Sequence, residues 1–158
     1  MRTHKLPDVN VKRENMRIKL KTDRIEGNLN KAQYMLDSMV MTHMIPYMPK
    51  VTGTFINNTL AMSQAIAGTG EVYAAAPPYG RFLYEGMTMV SPSTGSTWAK
   101  VGEKKVLVSE FQGKTNAHER LEYNDSTNAM VTEKWFEAAK KAHGKNWVEM
   151  VKKITGKG

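Results

Sequence analysis

The 158-residue chain contains no cysteine, and this absence excludes several kinds of chemistry. Without thiols there are no disulfides, no thiolate nucleophile and no cysteine-based zinc site. The chain also lacks any apolar run long enough to span a bilayer. Its charged start, MRTHKLPDVNVKRENMRIKL, has no apolar core of the kind that a secretory signal requires. We therefore expect a protein that folds in a reducing cytoplasm and does not insert into a membrane.

Patterns typical of enzymes are equally scarce. The GKT at 113–115 lacks the earlier glycine of a phosphate-binding loop, because Val108 stands in its place. The GTG at 68–70 lacks the third glycine of a dinucleotide fingerprint. His118 and Glu122 are close enough in sequence for a small hydrolase to be considered, but an exposed loop is the favoured interpretation. We predict no catalytic residue, no metal and no cofactor, and hence a protein that is not an enzyme.

The positive charge of the chain is concentrated at its two ends. The net charge is +8; residues 1–24 hold eight Lys and Arg against three acids, and residues 132–158 hold seven against three. Basic ends are compatible with duplex DNA and with an acidic protein partner. An acidic protein partner or a merely solvated surface is favoured over DNA, because no stripe of alternating aromatic and arginine residues accompanies the charge.

Residue patterning predicts an α+β fold. Residues 16–21 alternate between apolar and basic side chains, which indicates a strand. Asp23 and Glu26 form a candidate capping box for a long amphipathic helix that extends to His43 and is ended by proline at 46. On that apolar face His43 is expected to be a packed histidine. The helical positions on this face are Ile25, Leu29, Ala32, Leu36, Met39 and His43.

The middle of the chain is interpreted as a small antiparallel sheet. Residues 54–63 and 71–76 read as two strands joined through the glycines at 68–70, and residues 106–108 as another strand. Residues 79–85 form a predicted helical turn capped by Gly86. Long N-terminal and C-terminal helices are expected to pack on this sheet.

The C-terminal stretch WFEAAKKAHGKNW (residues 135–147) predicts helix with an interruption. Gly144 is a natural stop, and Asn146 with Glu149 offers a new cap. We therefore expect a break or bend at Gly144, with each tryptophan packing its own helical piece and His143 at a helix end. The lysines of this stretch are expected to face solvent or a partner.

The stretch PYGRFLYEG (residues 78–86) permits two interpretations. Arg81 and Glu85 stand four residues apart and are expected to pair. The aromatic residues around them suit either a core anchor or an edge that is presented to a neighbouring subunit.

Three stretches together resemble a known family. They are MPKVTGTF (48–55), PYGRFLYEGMTMVSPSTGSTWAK (78–100) and WFEAAKKAHGKNWVEMV (135–151). In this order they resemble the minor capsid proteins of long-tailed bacteriophages that join head to tail, also called tail-completion or neck proteins. The resemblance covers most of the chain from about residue 16 onward. Two positions depart from the family pattern. Relatives have a single proline where this chain has Pro77 and Pro78, and they frequently have alanine at the position of Gly80.

The resemblance implies a structural role in the virion rather than chemistry. It implies a sixfold ring between the head connector or stopper and the tail tube or tail terminator. A cyclic ring uses two different patches on each subunit. DNA passes through the channel of such a ring, which implies at most a transient contact between the protein and DNA. The resemblance implies no contact with a membrane. The protein would be made in the host bacterial cytoplasm and located in the virion neck; the alternative function is a basic protein that binds duplex DNA.

The resemblance also selects positions. It implies a polar extension over residues 1–15 and a single domain over residues 16–155, in which residues 87–114 form an extended loop or hairpin arm. The candidate interface or motif positions are Pro49, Thr52, Gly53, Phe55, Pro78, Tyr79, Arg81, Tyr84, Glu85, Gly86 and Trp98. Gly53 and Gly86 are expected to hold turns that a side chain would strain.

Overall fold

A computed structural model describes residues 6–13 and 16–156 of the chain. Its helices are α1 (Asp23–Met44), α2 (Thr54–Ala65), α3 (Gly80–Glu85) and α4 (Trp135–Thr155), and its strands are β1 (Val9–Arg13), β2 (Met16–Leu20), β3 (Met89–Val90) and β4 (Val106–Leu107). Both sheets are two-stranded and antiparallel, β1 with β2 and β3 with β4. The α+β class predicted from the sequence is confirmed. The predicted polar extension contains strand β1.

The core lies between α1 and α4, which make the most extensive contact of any two elements. The two helices run antiparallel, since His43 near the end of α1 meets His143 and Trp147, whereas Asn28 lies beside Ile154. The long helices therefore pack chiefly on each other, and not on a sheet as expected. The buried cluster consists of Val40, Met41, Met44, Met48, Ile56, Trp135, Ala139 and Trp147.

Helix α1 follows its predicted course, although its start differs in detail. It ends at Met44, where Pro46 enters a 3-10 turn (Ile45–Tyr47), because proline has no amide hydrogen for the next helical bond. The predicted capping box does not form. Thr22 is the N-cap and its side chain makes no capping bond, while the Glu26 carboxylate accepts the amide of Leu6.

The prediction of strands at 54–63 and 71–76 is wrong. Residues 54–65 form α2, and the chain from Tyr73 to Ala76 lies beside it and forms no strand. Two buried hydroxyls of α2 accept backbone amides of this segment. Ala76 N–H donates to Oγ1 of Thr59 at 3.0 Å, and Tyr73 N–H donates to Oγ of Ser63 at 3.1 Å. Ser63 Oγ also donates to the Tyr73 carbonyl at 3.2 Å. Hydrogen bonds to side chains thus replace the backbone hydrogen bonds that a β-hairpin would have supplied.

The predicted break at Gly144 is also wrong. Helix α4 runs without interruption from Trp135 to Thr155. Trp135 and Trp147 belong to the same buried cluster and do not pack separate pieces. The long α1 offers partners along the whole of α4, and this tertiary contact outweighs the intrinsic helix penalty of about 1 kcal/mol for one glycine.

Candidate interface surfaces

The start of PYGRFLYEG fits closely against the preceding chain. The Pro77–Pro78 peptide bond is cis, and Pro78 and Tyr79 are exposed. The next residue, Gly80, is buried, and a Cβ there would lie 2.7 Å from the carbonyl carbon of Ala75. Glycine at position 80 is therefore required by close packing of the backbone.

Tyr84 is an anchor of the core. Its ring meets the ring of Trp135 edge-on, with centroids 4.8 Å apart. Its hydroxyl donates to the carboxylate of Glu137. Burial, followed by the hydrogen bond to Glu137, raises the pKa of Tyr84 well above its usual value. Tyr84 thus supports the core interpretation of this stretch.

The predicted Arg81–Glu85 pair does not form. Arg81 pairs with Glu110 instead, and the Glu85 carboxylate lies 4.0 Å from Nζ of Lys134. Both pairs are exposed, so each contributes little stability, at most about 1 kcal/mol. Their effect is to tie α3 to the segments after β4 and before α4.

Gly86 occupies the left-handed region with φ +66°, as its predicted role as a cap requires. A Cβ at this position would lie 2.5 Å from Oε2 of Glu133. The Gly86 carbonyl accepts the amide of Leu121 at 2.9 Å. The hydroxyl of Tyr123 donates to the Leu83 carbonyl, and burial raises the pKa of Tyr123 to about 12. The end of α3 is therefore fastened to the later loop.

The motif positions near residue 50 shape the start of α2. Pro49 is half-buried. Gly53 has φ +83° and is the N-cap of α2, and the hydroxyl of Thr52 is hydrogen-bonded to that of Thr54 at 3.0 Å. The ring of Phe55 packs edge-on to Trp135 with centroids 5.9 Å apart. These positions have roles in the fold.

The chain between β3 and β4, residues 91–105, forms a hairpin arm organised by one carboxylate. Glu103 accepts the hydroxyl of Ser91 at 2.9 Å and the amides of Ser93 and Lys100 at 3.2 and 3.0 Å. Hydrogen bonding, with Ser93 the largest cause, lowers the pKa of Glu103 to about 2. A clamp of this kind holds the loop in one conformation.

The arm presents apolar side chains to solvent. Trp98 is 85% exposed and Val101 is fully exposed. A large exposed tryptophan on an ordered loop is typical of a binding surface, because tryptophan is enriched where partners meet.

A charge-poor surface escaped the sequence analysis. Residues 51–99 contain only Glu71, Arg81 and Glu85 as charged residues, in a chain that is 24% charged. The solvent side of α2 therefore carries no charge at all. Its exposed residues are Thr54, Asn57, Asn58, Ala61, Gln64 and Ala65. A simple count of charges along the sequence would have revealed this signal.

Two large apolar side chains on the segments that flank this surface in the fold are also exposed. Val51, just before α2, is 83% exposed, and Tyr79 is 61% exposed. The segment from Tyr73 to Ala76 runs antiparallel to α2, so the residues after it lead back towards the start of α2. We call the exposed side of α2 together with Val51 and Tyr79 the α2 face.

A second apolar surface belongs to the β1–β2 hairpin. Val11 pairs with Ile18 in the register, and Val9 and Met16 lie at the same alternation along their strands. These four side chains are between 39% and 58% exposed. The hairpin is connected to the start of α1 by polar bonds, in which Thr22 donates to the Asp8 carboxylate and to the Leu6 carbonyl. The apolar side of the hairpin is thus left open to a partner.

The three histidines among the described residues, His43, His118 and His143, have different surroundings. His118 and Glu122 are both exposed, and no hydrogen bond joins them in the part of the chain that the structure describes. His43 is the packed histidine that was predicted: it accepts the indole N–H of Trp147 and stacks on His143 at 4.2 Å. His143 lies in the middle of α4, not at a helix end.

Residues 6–13 and 16–156 contain neither a cluster of metal ligands nor a helix that could span a membrane. No group of three or more His, Asp or Glu side chains there is arranged to hold a metal ion. None of the helices in these ranges combines the length and the apolar character needed to cross a bilayer.

Comparison with protein families, curated proteins and solved structures gives no match to this chain.

Proposed function

We propose that this chain is a structural protein of a bacteriophage neck, without enzymatic activity, which assembles into a sixfold ring between the head connector or stopper and the tail tube or tail terminator. The proposal combines the resemblance of the three sequence stretches with one observation. The α2 face is exposed and uncharged, although the chain as a whole carries a net charge of +8. Depletion of charge is typical of the centre of a protein–protein interface.

A ring requires two different patches on each subunit, because each copy meets one neighbour with its front and another with its back. The α2 face is one candidate patch, and the apolar side of the β1–β2 hairpin is another. The arm with Trp98 is a third exposed element, and it suits the contact with the connector or the tail. We assign no interface role to Tyr84, Glu85 and Gly86, since their contacts stabilise the fold of the subunit itself.

The experiment compares two exposed valines. Val51→Lys places a charge on the α2 face, whereas Val148→Lys places the same charge on the solvent side of α4, where Val148 is 53% exposed. We expect native mass spectrometry of the protein, alone or with its connector, to show a hexamer that Val51→Lys abolishes and Val148→Lys preserves. Equal assembly of both variants would contradict the role of the α2 face.

The location is tested separately in assembled particles. Cryo-electron microscopy of virions is expected to place the protein in the neck, as a ring around the DNA channel. Its presence elsewhere in the virion, or its absence from purified virions, would refute the proposed function. The genes that flank its own provide an independent check, since portal and tail-tube genes are expected beside it.

A further inference from the structure

The fold brings the basic β1–β2 hairpin and the last turn of α4 to the end of the molecule where α1 begins. Helix α1 begins where α4 finishes, since the two are antiparallel, and Asn28 and Lys31 share a groove with Lys153 and Ile154. The β1–β2 hairpin joins the same end through the bond from Thr22 to the Asp8 carboxylate at 3.2 Å. Basic residues that are far apart in the sequence thus lie at the same end of the molecule.

The hairpin has a basic face opposite its apolar one. In the register, Lys12 lies across from Arg17, and Asn10 lies across from Lys19. All four of these residues are exposed. Directly opposed side chains on an antiparallel pair have Cβ atoms about 5 Å apart, and like charges there destabilise the sheet. A bound anion would remove this repulsion.

Among the described residues, the cations of the hairpin and of the end of α4 form no ion pair. The three ion pairs that form there involve Arg81, Arg120 and Lys134 as cations. Two carboxylates beside the hairpin, Asp8 and Glu26, accept hydrogen bonds from Thr22 and Leu6. We define the basic end by six exposed residues: Lys12, Arg17, Lys19, Lys31, Lys152 and Lys153.

We propose that the basic end binds the phosphate backbone of duplex DNA. Side chains two positions apart on one face of a strand, such as Arg17 and Lys19, are separated by about 7 Å. Phosphates along one DNA strand repeat about every 3.4 Å of helix axis, so cations in a row along a strand face a regular row of anions. The major groove of DNA also admits a two-stranded ribbon. A row of exposed cations fits a periodic polyanion better than it fits an acidic protein surface.

The binding is expected to be independent of sequence and sensitive to salt. Each phosphate contact releases counterions, so contacts from all six residues would give a slope of about −5 in log affinity against log salt concentration. The inference concerns the free chain and is independent of whether a ring forms. Failure of DNA binding would therefore leave the proposed neck function open to its own test.

The test measures binding of the full chain to a random-sequence duplex of about 25 base pairs by fluorescence anisotropy at several salt concentrations. The triple variant Lys12→Gln, Arg17→Gln, Lys19→Gln is compared with Lys100→Gln, Lys104→Gln, Lys114→Gln, which removes the same charge from other exposed positions. We expect the hairpin triple to reduce the salt slope by about 3, one for each lost phosphate contact, and to weaken binding at least tenfold. The control triple is expected to change affinity less than threefold.

Several outcomes would overturn the inference. Equal losses in the two triples would indicate attraction through net charge alone, and absence of binding at low salt would exclude DNA. Tighter binding of poly-glutamate than of the duplex would assign the surface to an acidic protein. A double variant, Lys152→Gln with Lys153→Gln, reports on the same surface from α4. It is expected to reduce the salt slope by about 2, and an unchanged slope would also contradict the inference.

Discussion

The indole Nε1–H of Trp147 donates a hydrogen bond to Nδ1 of His43 at 2.7 Å, and this bond joins α4 to α1. An acceptor Nδ1 carries no proton, so His43 is neutral in this arrangement. The ring of His143 stacks on His43 with centroids 4.2 Å apart. Burial, and after it the proximity of His143, lower the pKa of His43 below its usual 6.5. The pair of histidines therefore makes the helix contact sensitive to acid.

The first prediction concerns this pH dependence. Because the folded-state pKa of His43 is below its unfolded value of 6.5, the unfolded chain binds more protons in mildly acidic solution. The contribution of neutral His43 to the free energy of unfolding is fully present above the unfolded-state pKa. This contribution is expected to fall as pH decreases from 6.5 towards the folded-state pKa. Urea unfolding at pH 7.5 and pH 5 measures this loss.

Two variants separate His43 from other titrating groups. His43→Gln is expected to flatten the dependence of the unfolding free energy on pH, since glutamine does not titrate. His118→Gln, at an exposed position, is expected to leave the dependence unchanged. If His43→Gln and the parent lose the same free energy between these pH values, the source of the dependence is elsewhere.

The helices that the sequence predicted best are those with a long, repeated pattern. Twenty-two residues of α1 repeat the apolar spacing several times, and Pro46 fixes the end. Strand β2 was likewise evident from alternation. The position of Gly86 was predicted because a left-handed cap has a strong local preference for glycine.

The failures arose where distant contacts decide the structure. Residues 54–63 contain β-branched side chains that favour a strand, but Ile56, Thr59 and Ser63 lie on one face of a helix and are buried together. Their hydroxyl bonds to the segment ending at Ala76 were invisible in the local pattern. Of the candidate interface positions, Trp98 is exposed, whereas Tyr84 is an anchor of the core.

The second prediction uses the continuity of α4 through Gly144. A Cβ at position 144 would meet only Cγ of Lys140, at an ordinary 3.8 Å. Gly144→Ala is therefore expected to stabilise the protein by about 0.5–1 kcal/mol, the usual gain in a helix interior. Chemical unfolding monitored by circular dichroism measures the change.

The matched substitution Gly86→Ala should have the opposite sign. Its φ of +66° and the approach of Glu133 to 2.5 Å from the added Cβ both oppose a side chain. We expect a loss of about 1–3 kcal/mol, the cost of a non-glycine residue in the left-handed region. A destabilising Gly144→Ala would indicate that α4 bends there after all.

The third prediction concerns the buried carboxylate of Asp37. Its Oδ2 accepts the amides of Gly68 and Gly70 at 2.7 and 3.2 Å, and its Oδ1 accepts Nε2 of Gln33 at 2.8 Å. Asp37→Ala leaves the buried Gly68 amide without this acceptor. We expect a loss of about 2–3 kcal/mol in the free energy of unfolding, since hydrogen bonds to charged groups are among the stronger ones.

The control for Asp37 is its neighbour on the same helix. Within the described part of the chain, the hydroxyl of Ser38 bonds only to the carbonyl of Tyr34 in α1, so Ser38→Ala is expected to change stability by less than about 0.5 kcal/mol. Faster hydrogen exchange of the Gly68 and Gly70 amides in Asp37→Ala alone would show that the turn has been released. Unchanged exchange would contradict the assigned role of the carboxylate.

The fourth prediction contrasts two tryptophans. Trp135 is completely buried and donates its indole N–H to the Ala74 carbonyl at 2.7 Å, so Trp135→Ala is expected to cost about 3–5 kcal/mol. Trp98 is 85% exposed, and Trp98→Ala is expected to change the stability of the free chain by less than about 0.5 kcal/mol. If Trp98 contacts the connector or the tail, as proposed, the same variant weakens that association while urea unfolding of the isolated chain is unaffected. A loss of stability in free Trp98→Ala would instead show that the arm packs within its own subunit, and its tryptophan would no longer qualify as a partner contact.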